Sequence, residues 1–210
     1  MSKRSELGKL RDKMKADRTL PLREGATNLV FGEGKPNAEV MCIGEGPGYW
    51  EDQKGRPFVG NAGALLNQLL STIELPREDV FITNVVHYRP PNNRDPNLEE
   101  LEAFGKYLDC MIEIISPKVI VTLGRFSMAK FLPGVTISKV HGKPRRIEWK
   151  GLDMIVIPMY HPAAGLRNPN IKRDLFDDFK KIPEILTKIE ENGEESEEEE
   201  NQGLEQMNLI

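Results

Sequence analysis

Four short apolar runs, each closed by polar or Gly/Pro punctuation, constrain this chain more than anything else in it. They are Val40–Gly44 (VMCIG), residues 80–86 (VFITNVV), residues 118–123 (KVIVTL) and residues 154–158 (MIVIP). Runs this brief, apolar at nearly every position and rich in Val and Ile, read as strands buried on both faces, which is the habit of a parallel sheet. Helical spacing fills the intervals. Residues 62–73 repeat leucine at 65, 66, 69 and 70, and Leu98–Ile115 is a long periodic stretch with Pro96 and Asn97 as start signals. Leu7, Leu10 and Met14 predict a short surface helix over residues 1–17, Arg125–Phe131 another short helix, and residues 170–189 the last one. Residues 29–31 read as a β-like segment and 135–149 as an irregular or hairpin excursion. Residues 89–96 must be a loop, because Pro90, Pro91 and Pro96 cannot sit inside a helix. Strands alternating with helices give an α/β chain: a three-layer α/β/α sandwich around a central, mainly parallel four-stranded sheet.

At 210 residues the chain fits one such domain, assigned to 1–189, with an acidic and disordered tail over 190–210. The formal charge of -4 conceals an asymmetry. The tail holds nine Glu and no Lys or Arg, so the body keeps 24 acids against 29 bases, a net +5 compatible with a polyanion partner. No run approaches the ~18 apolar residues of a membrane span and nothing resembles a signal peptide, so a soluble cytoplasmic protein is expected. Cys42 and Cys110 are too few and too isolated for a disulfide framework or a Cys-based metal site.

Chemistry collects where strands end. The first strand runs into Gly44-Glu45-Gly46-Pro47-Gly48, the second delivers Asn84, and the fourth leads to Tyr160-His161-Pro162. Open α/β sheets bind ligands at this carboxyl edge. A Gly/Pro-bounded loop, Gly55-Arg56-Pro57-Phe58-Val59-Gly60, adds one aromatic ring. No phosphate-loop pattern, neither a Walker A sequence nor GxGxxG, is present.

These motifs, in this order and spacing, resemble the uracil-DNA glycosylase superfamily, most closely its fourth, thermostable family. The match runs from about residue 22 to residue 186. It rests on the glycine turn at 44–48 with Glu51-Asp52, the loop Gly55–Gly63, Thr83-Asn84-Val85-Val86, Arg89-Pro90-Pro91, Lys118-Val119-Ile120 and His161-Pro162-Ala163-Ala164. The resemblance implies a monofunctional DNA-repair enzyme that flips uracil from DNA and hydrolyses its N-glycosidic bond. Gly44, Gly46, Glu51, Phe58 and Asn84 would bind the base. Phe58 would stack on it, and Asn84 would accept uracil N3–H and donate to O4, a pattern that cytosine reverses. Glu51 would crowd the C5 edge against thymine. His161 would donate to O2 as charge builds on the leaving base. Glu45 would either hold the attacking water or stabilise the cationic sugar. Arg89, Ala164, Leu166 and Arg167 would touch DNA, Leu166 as a wedge from a loop entering the duplex, with Arg94, Lys172 and Arg173 as further phosphate contacts. His87 and His141 read as structural.

The chain departs from the family in two places. Most relatives hold a [4Fe–4S] cluster on four Cys, and the matching positions here are Asp17, Leu20, Tyr88 and Phe104. No cofactor and no metal site are therefore expected, with the apolar residues filling the vacated volume. Tyr49 and Trp50 stand where relatives more often carry acidic residues, which suggests altered access or a wider range of 5-substituted pyrimidines. The expected partner is uracil-containing DNA, double- or single-stranded, met by a monomer in the nucleoid. The apolar end of the tail, residues 204–210, is a candidate contact for a replication clamp or polymerase, beside the plainer reading of a solubilising tail. Two rival functions remain: a non-catalytic DNA- or replication-protein-binding module of the same fold, and a glycosylase for another damaged pyrimidine.

Overall fold

The computed structural model describes residues 1–189 and 191. In chain order the elements are α1 (Lys3–Ala16), β1 (Glu33–Gly34), β2 (Val40–Gly44), α2 (Tyr49–Lys54), α3 (Asn61–Ser71), β3 (Phe81–Asn84), α4 (Leu98–Ile115), β4 (Val119–Leu123), α5 (Arg125–Phe131), α6 (Ile137–Val140), β5 (Arg145–Trp149), β6 (Leu152–Met159), α7 (Pro162–Arg167) and α8 (Pro169–Phe179). Residues 181–189 are again helical.

The four apolar runs form the centre of one sheet in the order β1-β3-β2-β4-β6-β5. Strands β3, β2, β4 and β6 are mutually parallel, with Gly44 opposite Asn84 and Val121 opposite Ile157. Alternation along β2 sends Met41 and Ile43 to one face and Val40 and Cys42 to the other. On the first face they meet α1, α4 and α5 through Met14, Phe104, Leu108, Met111 and Phe131. On the second they meet α3, α8 and the last helix through Leu66, Leu69, Leu175, Phe179 and Ile182. Each of these side chains contributes about 1.5–3 kcal/mol by leaving water. Helices on both faces of a mixed sheet make the expected α/β sandwich.

Three details differ from the sequence reading. The sheet has six strands rather than four, because β1 and β5 add antiparallel edges. β1 has only two residues, and β5 (RRIEW), an edge strand with charged outward positions, pairs with β6 as an arm of the hairpin that is one of the two readings of 135–149. The β-like segment expected at 29–31 forms no strand; pairing begins at Glu33. The single helix expected over 170–189 is interrupted at Lys180. Pro183 explains the break, since its ring would clash with the carbonyl of residue 179 in a continuous helix. No described helix is long and apolar enough to cross a membrane. The tail assigned to 190–210 lies outside the described residues apart from residue 191.

Candidate active site

Parallel register brings the ends of β2 and β3 side by side, so Gly44 lies opposite Asn84. Asn84 is almost fully buried, and among the described residues its Oδ1 has no hydrogen-bond partner. A buried carbonyl left unpaired costs roughly 1–3 kcal/mol, so this one is poised for a donor that the described residues do not supply. Gly44 makes the arrangement feasible. A Cβ there would fall inside van der Waals contact of Asn84 Oδ1 and 2.6 Å from Phe58 Cζ.

Phe58 reaches the site from the loop before α3, with φ at +48°. Non-glycine residues seldom adopt that region, and holding one there costs on the order of 1 kcal/mol or more. Two devices hold it. Glu51 Oε1 accepts the backbone N–H groups of Val59 (2.9 Å) and Gly60 (2.8 Å). Gly63 lets α3 close on the loop, where any Cβ would overlap the Phe58 carbonyl. The neighbouring Asp52, also buried, accepts from Thr27 N–H (2.8 Å) and Asn28 N–H (3.1 Å), fixing the other side of α2. Adjacent carboxylates on one short helix thus anchor two loops, a role that charge and spacing alone do not announce.

His161 is the residue before α7, and Pro162 at the first helical position keeps its backbone extended (φ -67°, ψ 135°). Its Nδ1 accepts the Ala163 N–H at 3.1 Å. In the neutral ring the proton therefore sits on Nε2, which is left to donate. Burial lowers its pKa to about 4, helped by the nearby Arg167 cation and opposed by Glu51. The imidazole stacks beside Phe58, with centroids 5.6 Å apart and planes 26° from parallel.

Glu45, Glu51, Phe58, Asn84 and His161 line a single cavity of about 220 Å³. That is below the ~300 Å³ at which pockets for drug-sized ligands begin and suits one planar ring. Gly46 lines it too, packed against Val86. Burial raises the Glu45 carboxyl above its ordinary value, Asp95 adds to the rise, and Arg125 opposes it. Pro47, Gly48, Ala62, Pro90, Asn93, Arg94 and Ala163 complete the wall. Sequence reasoning missed Asn93, whose signal is the Pro-Pro-Asn-Asn turn; Asn92 and Asn93 both take φ +54°, a region asparagine tolerates.

The surrounding surface departs from expectation in one way. Residues 163–167 belong to the short helix α7 rather than a loop, with Gly165 packed against Leu175 and Leu65. Leu166 projects from it, 49% exposed, with Arg167 also exposed and Ala164 half-buried. Arg94 lines the cavity with its side chain 44% exposed. Its guanidinium grips the buried Glu100 through both nitrogens and the Asp95 carbonyl at 2.9 Å. Arg89 stays at the rim, with Nε donating to Asn93 Oδ1 at 2.7 Å, and Lys172 and Arg173 are exposed.

The positions that the family resemblance assigns to cluster ligands do not fit a cluster. Leu20, Tyr88 and Phe104 are buried in one apolar cluster, and Tyr88 and Phe104 have centroids 6.1 Å apart. Asp17 accepts from Tyr107 Oη at 2.6 Å and from Thr19. Cys42 lies inside β2, where burial pushes its thiol up to about 12, and Cys110 lies on α4. Among the described residues no group of three or more His, Cys, Asp or Glu could hold a metal ion. His87 and His141 lie outside the cavity lining. His87 is fully buried with Nε2 3.2 Å from Thr83 Oγ1, and His141 Nδ1 meets Asp178 at 2.7 Å.

Comparison with known proteins gives a consistent result. A family model described as the uracil DNA glycosylase superfamily matches residues 31–182. A type-4 uracil-DNA glycosylase of Sulfurisphaera tokodaii is 49% identical over 185 residues, covering 85% of this chain and 84% of that protein. One from Archaeoglobus fulgidus is 49% identical over 81% of this chain and 88% of its own length. One from Thermotoga maritima is 45% identical, over 84% and 93%.

Proposed function

Because the chain belongs to the uracil-DNA glycosylase superfamily, we infer that it is a monofunctional glycosylase that hydrolyses the N-glycosidic bond of deoxyuridine in DNA, leaving an abasic site. The observation that carries this reading is the buried Asn84, whose Oδ1 has no partner among the described residues, in the lining of the same small cavity as His161. A ring with an N–H between two carbonyls complements that pair, and uracil is such a ring. Asn84 Oδ1 accepts N3–H and its amide nitrogen donates to O4. Cytosine presents an acceptor and a donor in those places, and buried groups left unpaired in this way support discrimination of about 10⁴ or more.

In the reaction, the bond from N1 to C1′ breaks and its electron pair goes to the base, spreading onto O2. Water supplies the oxygen that C1′ gains. His161 Nε2–H donates to O2 as the charge forms, a preorganised contact that acts on the transition state more than on the bound base. Phe58 packs against the ring. Glu45 faces the sugar side of the cavity, where its carboxylate holds the water or opposes the cationic sugar. Glu51 anchors the Phe58 loop and walls the C5 edge. Arg89, Arg167 and Leu166 meet the DNA around the flipped nucleotide.

We propose that the chain does this without an iron–sulfur cluster, since Asp17, Leu20, Tyr88 and Phe104 offer no set of thiolates. Residues 1–189 are taken as the single working domain, acting as a monomer on DNA. The end at 204–210 is kept as a candidate contact for a replication clamp or polymerase on its sequence alone.

The test is one oligonucleotide carrying a single uracil opposite guanine, opposite adenine and unpaired, incubated with the protein and then cleaved by alkali. Strand scission at the uracil is expected. No scission in any context would replace the enzyme with a DNA-binding module. Scission confined to uracil, with 5-hydroxymethyluracil and thymine intact, would remove the wider substrate range suggested by Tyr49 and Trp50.

A further inference from the structure

Two large aromatic side chains stand in solvent at the mouth of the cavity. Tyr49 is 50% exposed and Trp50 57%, although they open a helix whose neighbouring residues Gly48 and Glu51 line the cavity. Their rings meet edge to face, with centroids 5.1 Å apart. Arg89 lies over the Tyr49 ring at 5.3 Å, one residue before the cavity-lining Pro90. Trp50 Cδ1 sits close to Gly60, whose N–H is held by Glu51, so the indole rests on the same loop that carries Phe58. The aromatic pair, its cation and the base cavity are therefore continuous.

Exposed rings at such a place need an occupant, and the surroundings select one. Arg89 and Arg167 favour a polyanion, and the cavity, on the function proposed above, receives a base from a DNA strand. We propose that Tyr49 and Trp50 form a stacking platform for an unpaired nucleobase next to the flipped nucleotide, with Arg89 bonding the adjoining phosphate. Bases inside a duplex already stack on their neighbours and gain little from such a platform. Bases in a single strand or an opened junction gain a full aromatic face. The platform therefore favours single-stranded or locally melted DNA, independently of which base enters the cavity.

The experiment uses binding rather than turnover, so that it separates from the glycosylase reading. Trp50 and Trp149 are the two tryptophans of the chain. In Trp149→Phe, indole fluorescence reports Trp50 alone. Titration with a uracil-free single-stranded oligonucleotide is expected to quench it strongly, and titration with the matching duplex weakly. Trp50→Ala should weaken single-strand binding about 5- to 150-fold, the range for loss of one stacked base, while changing duplex affinity less than about twofold. Trp50→Phe should restore most of the loss. Absence of quenching by the single strand, or equal loss of affinity for both DNA forms, would overturn the platform. Failure to release uracil would leave this result untouched and refute only the enzyme.

Discussion

Alanine in place of His161, followed across pH, tests the tautomer argument in detail. The Ala163 N–H points at Nδ1, and the half-buried ring has a pKa of about 4. At pH 7 the cationic ring is then populated at only ~0.1%, about three pH units above its pKa. A mechanism that needed imidazolium would lose about tenfold in rate per pH unit above 4. One that uses neutral Nε2–H should be flat from about pH 5.5 to 8. Removing a single preorganised donor to a developing anion typically costs 10²–10³ in rate, and that loss is expected for His161→Ala in single-turnover uracil release. Affinity for uracil-containing DNA should change less than about threefold, because the contact strengthens only as charge develops. A wild-type rate falling steadily from pH 5 to 7, or a variant losing affinity as much as rate, would refute the assignment.

Three further outcomes follow from the same geometry. Gly44→Ala should lower turnover about 100-fold, since its Cβ displaces both Asn84 and Phe58 and displacements near 1 Å carry costs of that order; a rate near wild type would show that the cavity tolerates the methyl. Urea titrations between pH 7 and 4.5 should show acid destabilisation from His87 and His161. Their folded pKa values, about 3 and about 4, lie below the ordinary 6.5. The unfolded chain therefore binds protons first, so their stabilisation is complete above pH 6.5. It fades as pH falls towards 4, by up to ~2.7 kcal/mol per pH unit for the pair; constant stability over that window would contradict the neutral state of both rings. Iron and sulfide analysis of purified protein should find neither in stoichiometric amount, and one cluster per chain would overturn the reading of Leu20, Tyr88 and Phe104 as ordinary core.

The centre of the fold is legible because its strands are buried on both faces, which leaves continuous Val/Ile runs such as VIVTL at β4. Its edges are less so, because β5 alternates charge with Ile147 and Trp149 and is stabilised by pairing rather than by its own pattern. Pro183 could have marked the end of α8, but the apolar spacing through Ile182 and Ile185 runs across the break. At the site, residue types at strand ends pointed to Asn84 and His161, and the structure brings both to one cavity. Orientation was invisible in the sequence. The Nδ1 contact of His161, the positive φ of Phe58 and the grip of Glu51 on residues 59 and 60 are all set by tertiary packing. The ion pair of Arg94 with Glu100, the capping-box residue that starts α4, was equally invisible, since it is made by a turn that sequence spacing does not specify.

The central claim is that Asn84 reads the Watson–Crick edge of the flipped base, and Asn84→Asp tests it most directly. Aspartate keeps the acceptor for uracil N3–H but turns the donor to O4 into a second acceptor, which instead suits the cytosine amino group. Release of uracil and of cytosine from otherwise identical oligonucleotides should be compared in single turnovers. The account predicts wild-type discrimination of about 10⁴ or more collapsing towards unity, through both slower uracil release and measurable cytosine release. A variant that retained the wild-type ratio would show that another group reads the base.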